Sequence, residues 1–261
     1  MLYFHSWSGG KDSTASVILD HIHGLPPSKI IFSEVMFDKK RGISGELPEH
    51  IDFVKNRAIP LFEKWGYECE IVHAEKDYLD IFYHIKTRSK TPERNGKHYG
   101  FLIGGACEAN RTLKTNPIHA FYKNLNVSGE EFTEYIGIAI EETDRLKRLE
   151  GTNKVSLLAR YGYTERMCFE LCEEYGLLSP TYSISNRGGC WFCPNQSFKS
   201  LARLKTDHPE LWEELRTLSR EKNIVSQAFK YNKTFPETEE IVDREIEKIK
   251  YTGDQLRIPG F

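Results

Sequence analysis

Two stretches of the chain combine residue types that can do chemistry. The first is Ser8-Gly9-Gly10-Lys11-Asp12-Ser13-Thr14. Its two glycines let backbone N–H groups come close to an anion, its three hydroxyls add donors, and Lys11 would neutralise phosphate charge. The spacing between the glycines and the lysine is not that of a Walker A loop. A glycine turn with no ligand is the bland alternative, but seven consecutive polar or glycine residues favour an anion site. The second stretch is Gly188-Gly189-Cys190-Trp191-Phe192-Cys193-Pro194, a CxxC turn suited to chelation. Cys168 and Cys172, four apart on an expected helix, share a face and complete a four-thiolate set. Zinc and a 4Fe-4S cluster both accept four thiolates, and spacing does not separate them. Met167, Cys168, Leu171, Cys172 and Tyr175 also read as an ordinary apolar helix face, and Cys69 sits inside a strand as a core residue. The histidines show no ligand spacing.

The elements that must position these residues follow from periodicity. Leu2 to Trp7 reads as a strand that runs into the Ser8 to Asp12 turn and then a helix through Val17, Ile18 and Ile22. Such a strand-loop-helix unit aims backbone N–H groups and the positive end of a helix dipole at the loop. Lys29 to Phe37 is a second strand, Pro48 to Trp65 a helix and Glu68 to His73 a third strand. This alternation implies an α/β fold, a doubly wound and mostly parallel sheet with helices on both faces. Lys86 to Lys97 reads as an open polar loop, Cys107 to Leu125 as a helix kinked at Pro117, Tyr135 to Ile140 as a strand and Glu141 to Glu150 as a charged helix. From Lys154 onward the strand signal stops. Helices are expected at Thr164 to Leu177, near Glu210 to Glu221 and near Glu237 to Lys250. The expected division is a nucleotide-binding domain over 1–152 and a helical, cysteine-containing C-terminal subdomain over 153–261.

Composition narrows the function classes. The 261 residues carry 36 basic and 38 acidic side chains, a net charge of −2, so binding to nucleic acid or membrane through bulk charge is not supported. With 39% hydrophobic residues the chain can bury a real core. No apolar run approaches the roughly 20 residues of a membrane span, and no signal-peptide pattern opens the sequence. A cytoplasmic protein with no membrane partner is expected. Its six cysteines should then stay reduced, which favours thiolate ligands over disulfides.

The SGGKDST segment after the first strand resembles the PP-loop of the adenine nucleotide alpha-hydrolase superfamily. The layout of residues 1 to about 195 is similar to the phosphoadenosine phosphosulfate (PAPS) reductase family within it. Two further segments carry the resemblance: Cys107-x3-Arg111-x2-Lys114-x2-Pro117, similar to that branch's basic helix, and Gly137 to Arg145, a strand end followed by acidic residues and an arginine. The resemblance implies ATP with Mg2+ as the bound nucleotide. It also implies a cluster that draws on Cys107 and the CxxC pair, leaving out one of Cys168 or Cys172. Three departures stand out. Sulfonucleotide reductases have lost the intact loop that this chain keeps. They place a nucleophilic cysteine in a C-terminal tail, whereas the last cysteine here is Cys193 and the tail ends Arg257-Ile258-Pro259-Gly260-Phe261. Ala139 stands where many relatives carry an arginine.

The expected function is therefore an ATP-dependent enzyme that adenylylates a substrate, releases pyrophosphate and works in sulfur transfer. Ser8 to Thr14 would bind the phosphates, Lys11 would stabilise the leaving pyrophosphate, and Asp12 would hold the metal or orient the helix start. Arg111 and Lys114 would contact substrate or triphosphate. Asp38, just past the second strand, is a candidate for the adenosine side, because ligands of parallel sheets lie beyond the carboxyl ends of the strands. The partners would be ATP, an acceptor that includes nucleic acid among its candidates, and a sulfur-donor protein. Two alternatives remain open at this stage: a sulfonucleotide reductase using an external thiol, and a metal-stabilised nucleic-acid-binding module using Phe198 to Lys205 and Phe229 to Lys233.

Overall fold

The computed structural model describes residues 1–105, 107–125, 131–183 and 188–252. The tail at Arg257 to Phe261 lies outside the described residues. In chain order the elements begin β1 (Leu2–Trp7), α1 (Lys11–His23), β2 (Lys29–Glu34), β3 (Met36–Asp38), β4 (Ile43–Ser44), α2 (Pro48–Phe53), α3 (Ile59–Lys64), β5 (Glu68–His73) and α4 (Tyr78–Phe82). They continue with α5 (Asn116–Asn124), β6 (Phe132–Tyr135), α6 (Thr143–Leu146), β7 (Lys154–Val155), α7 (Leu157–Tyr161) and α8 (Glu165–Glu174). The last are α9 (Phe198–Asp207), α10 (Pro209–Ser219), β8 (Ala228–Lys230), β9 (Lys233–Thr234) and α11 (Phe235–Thr252).

Two compact units emerge, and neither is continuous in sequence. The first comprises residues 1–34, 48–74 and 114–182; the second comprises 35–47, 75–113 and 183–261. This division differs from the expected boundary at residue 152. Residues 153–182 belong with the sheet, and the second unit draws in two earlier insertions.

The first unit is a five-stranded sheet in the order β5-β2-β1-β6-β7, with every pairing parallel. Alternation along β1 explains its two covered faces. Trp7 joins Ile18, Phe32, Phe62, Leu158 and Leu171 in a core roofed by α1, α2, α3, α7 and α8, while Phe4 turns to the other face and packs with Ile118, Tyr122 and Phe132 around α5. The architecture is α/β and Rossmann-like. No helix among the described residues is long and apolar enough to cross a membrane.

Several expectations are corrected here. The strand expected at Tyr135 to Ile140 is β6 at Phe132–Tyr135, followed by one more bond to β7, from Ile136 N to Val155 O at 3.0 Å. A fifth strand, β7, exists past Lys154; with two residues it has no period to detect. The charged helix expected at Glu141 to Glu150 is one α-turn, α6, followed by a 3-10 turn at Lys147–Leu149. The helix expected from Cys107 to Leu125 becomes a π-turn at Asn110–Thr115 leading into α5, and a second π-turn at Val54–Ala58 separates α2 from α3. Each π-turn lies just before a proline, Pro117 or Pro60. Proline lacks the N–H for the i−4 bond and its ring crowds that carbonyl, and a wider turn relieves both problems.

The second unit is organised by stacked rings. Phe37 lies 4.5 Å from Trp191, and Tyr78 lies 3.9 Å from Phe192. Phe101 meets Phe229 at 4.9 Å, and Phe229 meets Phe235 at the start of α11 at 5.3 Å. Helix α11 is also anchored by charge. Glu239 accepts from Trp212 Nε1 at 2.8 Å and pairs with Lys205 and Arg216 at 2.9 and 2.5 Å. Partial burial alone would raise the pKa of Glu239, but the bonds from Arg216, Trp212 and Lys205 win and hold it at about 2 instead of 4.5. A carboxylate whose folded pKa is depressed stabilises the fold above its unfolded pKa and loses that contribution as pH falls through the folded value. Stability of this unit should therefore drop between pH 4.5 and about 2. In chemical-denaturation curves across that range, Glu239→Gln should flatten the pH dependence; an unchanged slope would show the anchor to be inert.

Candidate functional site

The loop after β1 is shaped by three glycines, Gly9 and Gly10 within it and Gly137 at the head of the Gly137 to Arg145 segment. Gly9 has φ +72, a left-handed conformation that glycine tolerates, and a Cβ there would sit 2.6 Å from the His50 ring. Gly10 is extended and serves as the N-cap of α1 without any side chain capping the helix. Gly137, just beyond β6, lies directly against the first turn of α1, where a Cβ would fall 2.4 Å from Ser13 N. Because β6 neighbours β1, the loops leaving these two strands diverge at the switch point of the sheet, where parallel sheets place their ligands.

Hydrogen bonds fix the loop. Ser8 N donates to Ser13 Oγ at 3.1 Å, Ser13 Oγ donates to Gly10 O at 3.0 Å, and the Ser8 and Ser13 hydroxyls are 3.1 Å apart. Lys11 N donates to Tyr182 Oη at 2.8 Å. The N–H groups of Asp12 and Ser13 have no protein partner among the described residues, as the first turn of a helix requires of most of its donors. His50 braces the other side, with Nδ1 at 2.8 Å from Ser179 Oγ and Nε2 at 3.3 Å from Ser8 O. Sequence reasoning missed His50, Tyr182 and Ser179, since each sits far along the chain in no motif. Thr14 behaves differently from its expected role. It is fully buried, and its Oγ1 accepts from Trp7 Nε1 at 2.9 Å, which makes it part of the core.

Charge is concentrated at the loop's rim. Lys11 Nζ lies 2.8 Å from Asp12 Oδ1 and 3.0 Å from Glu165 Oε2. Burial alone would lower the Lys11 pKa, but the bonds to Asp12 and Glu165 outweigh it and raise the value above that of an ordinary lysine. Asp12 is pushed up, first by burial and then by the nearby charges of Glu165 and Glu142, against the pull of Lys11. Lys11 is thus held between two carboxylates, Asp12 and Glu165, while Glu142 nearby is paired with Arg145 at 2.5 Å and accepts from Ala139 N at 3.2 Å.

Two of the five candidate metal-ligating cysteines lie beneath this loop. Cys172 Sγ donates to Lys11 O at 3.2 Å, and both Cys168 and Cys172 are fully buried in the core under α1. Burial, and then the charge of Asp12, pushes the Cys168 thiol up to about 12; burial raises Cys172 as well. Both remain protonated at neutral pH.

In the second unit Cys107 is exposed, while Cys190 and Cys193 are partly buried in a turn closed by Cys193 N donating to Cys190 O at 3.1 Å. Trp191 pins this turn by donating from Nε1 to Ser44 O and from N to Gly45 O, at 2.8 and 2.9 Å. Lys230 Nζ donates to Pro194 O and Gln196 O at 2.7 and 2.5 Å, and burial lowers its pKa while Cys193 opposes that shift. The fully buried Tyr78 hydroxyl has no hydrogen-bond partner among the described residues. Burial raises its pKa, and the charges of Cys193, Cys190 and Cys107 add to that rise. Among the described residues no three His, Cys, Asp or Glu side chains converge as they stand to hold a metal. Asp38 and Arg111 also fall in this unit. The Asp38 carboxylate closes a turn by accepting from Lys40 N, Arg41 N and Arg41 Nε at 2.9, 3.2 and 2.6 Å. Arg111 is exposed and pairs with Glu108 at 2.7 Å. Lys114 belongs to the first unit and is half-buried on the π-turn before α5.

Two measurements check this geometry. Gly137→Ala must displace backbone and should cost about 1–3 kcal/mol. Gly24→Ala, at φ +56 with nothing within 4 Å of its Cβ, should cost only the roughly 1–2 kcal/mol of a left-handed residue. If denaturant melts rank the two the other way, the close approach at Gly137 is not real. Iodoacetamide at neutral pH should alkylate Cys107 in the native protein and reach Cys168 and Cys172 only after unfolding. Equal native rates at all three would contradict their burial.

A scan against protein-family models matches none, and no curated protein matches the chain.

Proposed function

We propose that this chain is an ATP-dependent enzyme of the PP-loop type that adenylylates a substrate, releases pyrophosphate and serves sulfur transfer. The observation that carries the reading is the loop itself. It joins a left-handed Gly9, an uncapped helix start at Gly10, unpartnered N–H groups on Asp12 and Ser13, and Lys11 held at the rim by two carboxylates. In this reading the Ser8 to Ser13 segment binds phosphate oxygens through backbone N–H groups and hydroxyls. Lys11 leaves its carboxylate partners to meet the charge that develops on the leaving pyrophosphate. Asp12 and Glu165, the two carboxylates at Lys11, would meet a Mg2+ whose remaining ligands are phosphate oxygens and water, and which neutralises phosphate charge.

For the thiols we favour a narrower set than spacing alone offered: Cys107, Cys190 and Cys193, with Cys168 and Cys172 as supports of the loop. An iron-sulfur cluster or zinc held by three thiolates suits the orphaned Tyr78 hydroxyl, which could then donate to a cluster sulfide or metal-bound ligand. The alternative reductase reading needs a mobile, activated thiolate. The protonated, buried Cys168 and Cys172 do not supply one.

The test is calorimetric titration with ATP and Mg2+. Lys11→Ala and Asp12→Ala should weaken binding at least tenfold or abolish turnover while the circular dichroism spectrum is preserved. Unchanged affinity and turnover in both variants would remove the loop from the mechanism.

A further inference from the structure

The second unit carries a basic hairpin that the proposed ATP chemistry does not use. Residues 86–97 hold five basic side chains, Lys86, Arg88, Lys90, Arg94 and Lys97, against the single acid Glu93, in a chain whose net charge is −2. Several basic side chains elsewhere in the unit are paired, Arg41 with Glu214, Lys205 with Asp243 and Arg216 with Glu239, and those unpaired among the described residues, such as Lys40, Lys199 and Lys222, are spread through the sequence rather than gathered in one short stretch. Arg88, Lys90 and Arg94 are exposed, and their side chains have no partner among the described residues.

The sequence suggested an open loop, yet the backbone is organised. Lys86 N donates to Lys97 O at 2.8 Å, Gly96 N to Lys86 O at 2.9 Å and Ser89 N to Asn95 Oδ1 at 2.8 Å, with a 3-10 turn at Pro92–Arg94. Its base is tied down by Tyr99 N to His84 O, His98 N to Asn223 O and Val225 N to His98 O, at 3.0, 2.9 and 2.8 Å. The charges are therefore presented on a fixed frame, which lowers the entropy lost on binding. Rings stand at that base. Tyr83, exposed, lies 5.5 Å from the His98 ring, and Tyr99 lies tilted beside His84 at 5.4 Å with Lys86 Nζ 5.0 Å above its ring.

We propose that this hairpin is a docking surface for single-stranded nucleic acid, with Arg88, Lys90 and Arg94 on successive phosphates and Tyr83 offering a face to an unstacked base. Charges spread along an exposed hairpin suit a polyanion rather than one small anion. The stretch 86–97 has no aliphatic or aromatic side chain, and the exposed apolar groups at its base are Tyr83 and Ile85, a small patch for a bilayer to hold, which disfavours a membrane surface. Aromatic rings beside cations are the combination that single strands exploit. The inference stands apart from the ATP reading, because it needs neither nucleotide nor catalysis.

The test is fluorescence anisotropy of the full chain, without ATP, against labelled single-stranded RNA and DNA of about 20 nucleotides, long enough to span such a site. The triple variant Arg88→Glu, Lys90→Glu, Arg94→Glu should bind at least tenfold more weakly. Its slope of log affinity against log salt should fall by about 2, since each phosphate contact on a single strand contributes about 0.7. A control with the same change in net charge, Arg244→Glu, Lys248→Glu, Lys250→Glu on α11, should retain most of the affinity. Tyr83→Ala should weaken binding without changing the salt slope. The proposal is overturned by absence of binding to both strands, by equal losses in the two triple variants, or by binding to phosphatidylserine vesicles but not to oligonucleotides. RNA and DNA titrated side by side identify which strand is preferred, and binding to either supports the surface.

Discussion

The structure of the first unit depends on one close approach, the backbone of Gly137 against the first turn of α1. No side chain fits there, because a Cβ would fall 2.4 Å from Ser13 N. Parallel pairing of β6 with β1 brings the two strand ends together, and Gly137 lets the chain leaving β6 pass beside the helix start. The loop is then clasped from three sides, by Gly137, by Tyr182 at Lys11 N, and by His50 at Ser8 O. The backbone N–H groups at the helix start are in this way held in place by the fold itself, which is the condition the proposed function requires for electrostatic stabilisation without reorganisation.

The second unit solves a different problem, how to hold a short cysteine turn rigid without long secondary structure around it. Trp191 and Phe192, the residues between the two cysteines, are buried among Phe37 and Tyr78 and anchor the turn from inside. The thiols are left at its edge, with the Lys230 ammonium capping the carbonyls that follow.

Much of this was legible in the sequence, and the failures have physical reasons. The Ser8 to Thr14 loop, the parallel α/β sheet and the CxxC turn each announce themselves locally, through glycine, alternation and spacing. The bond that the Thr14 hydroxyl accepts from Trp7 is not legible in sequence, because a hydroxyl turned to a ligand and one turned to the core look identical there. Strand β7 escaped because two residues carry no period, and α6 because a charged stretch reads as helix whether it makes one turn or three. Cys168 and Cys172 share a helix face as expected, but that face points into the core under Lys11. His50, Ser179 and Tyr182 were invisible because their roles arise only when segments 42 to 171 residues apart meet. The discontinuous second unit was hidden for the same reason.

The central claim is that the loop after β1 directs cleavage of ATP between its α and β phosphates. Phosphorus NMR of the anaerobic protein incubated with ATP, Mg2+ and nucleic acid as a trial acceptor reads that bond directly. The account predicts pyrophosphate together with AMP or an adenylylated product, and neither in the Lys11→Ala variant. Accumulation of ADP and orthophosphate, or ATP left intact by the wild-type protein, would contradict it.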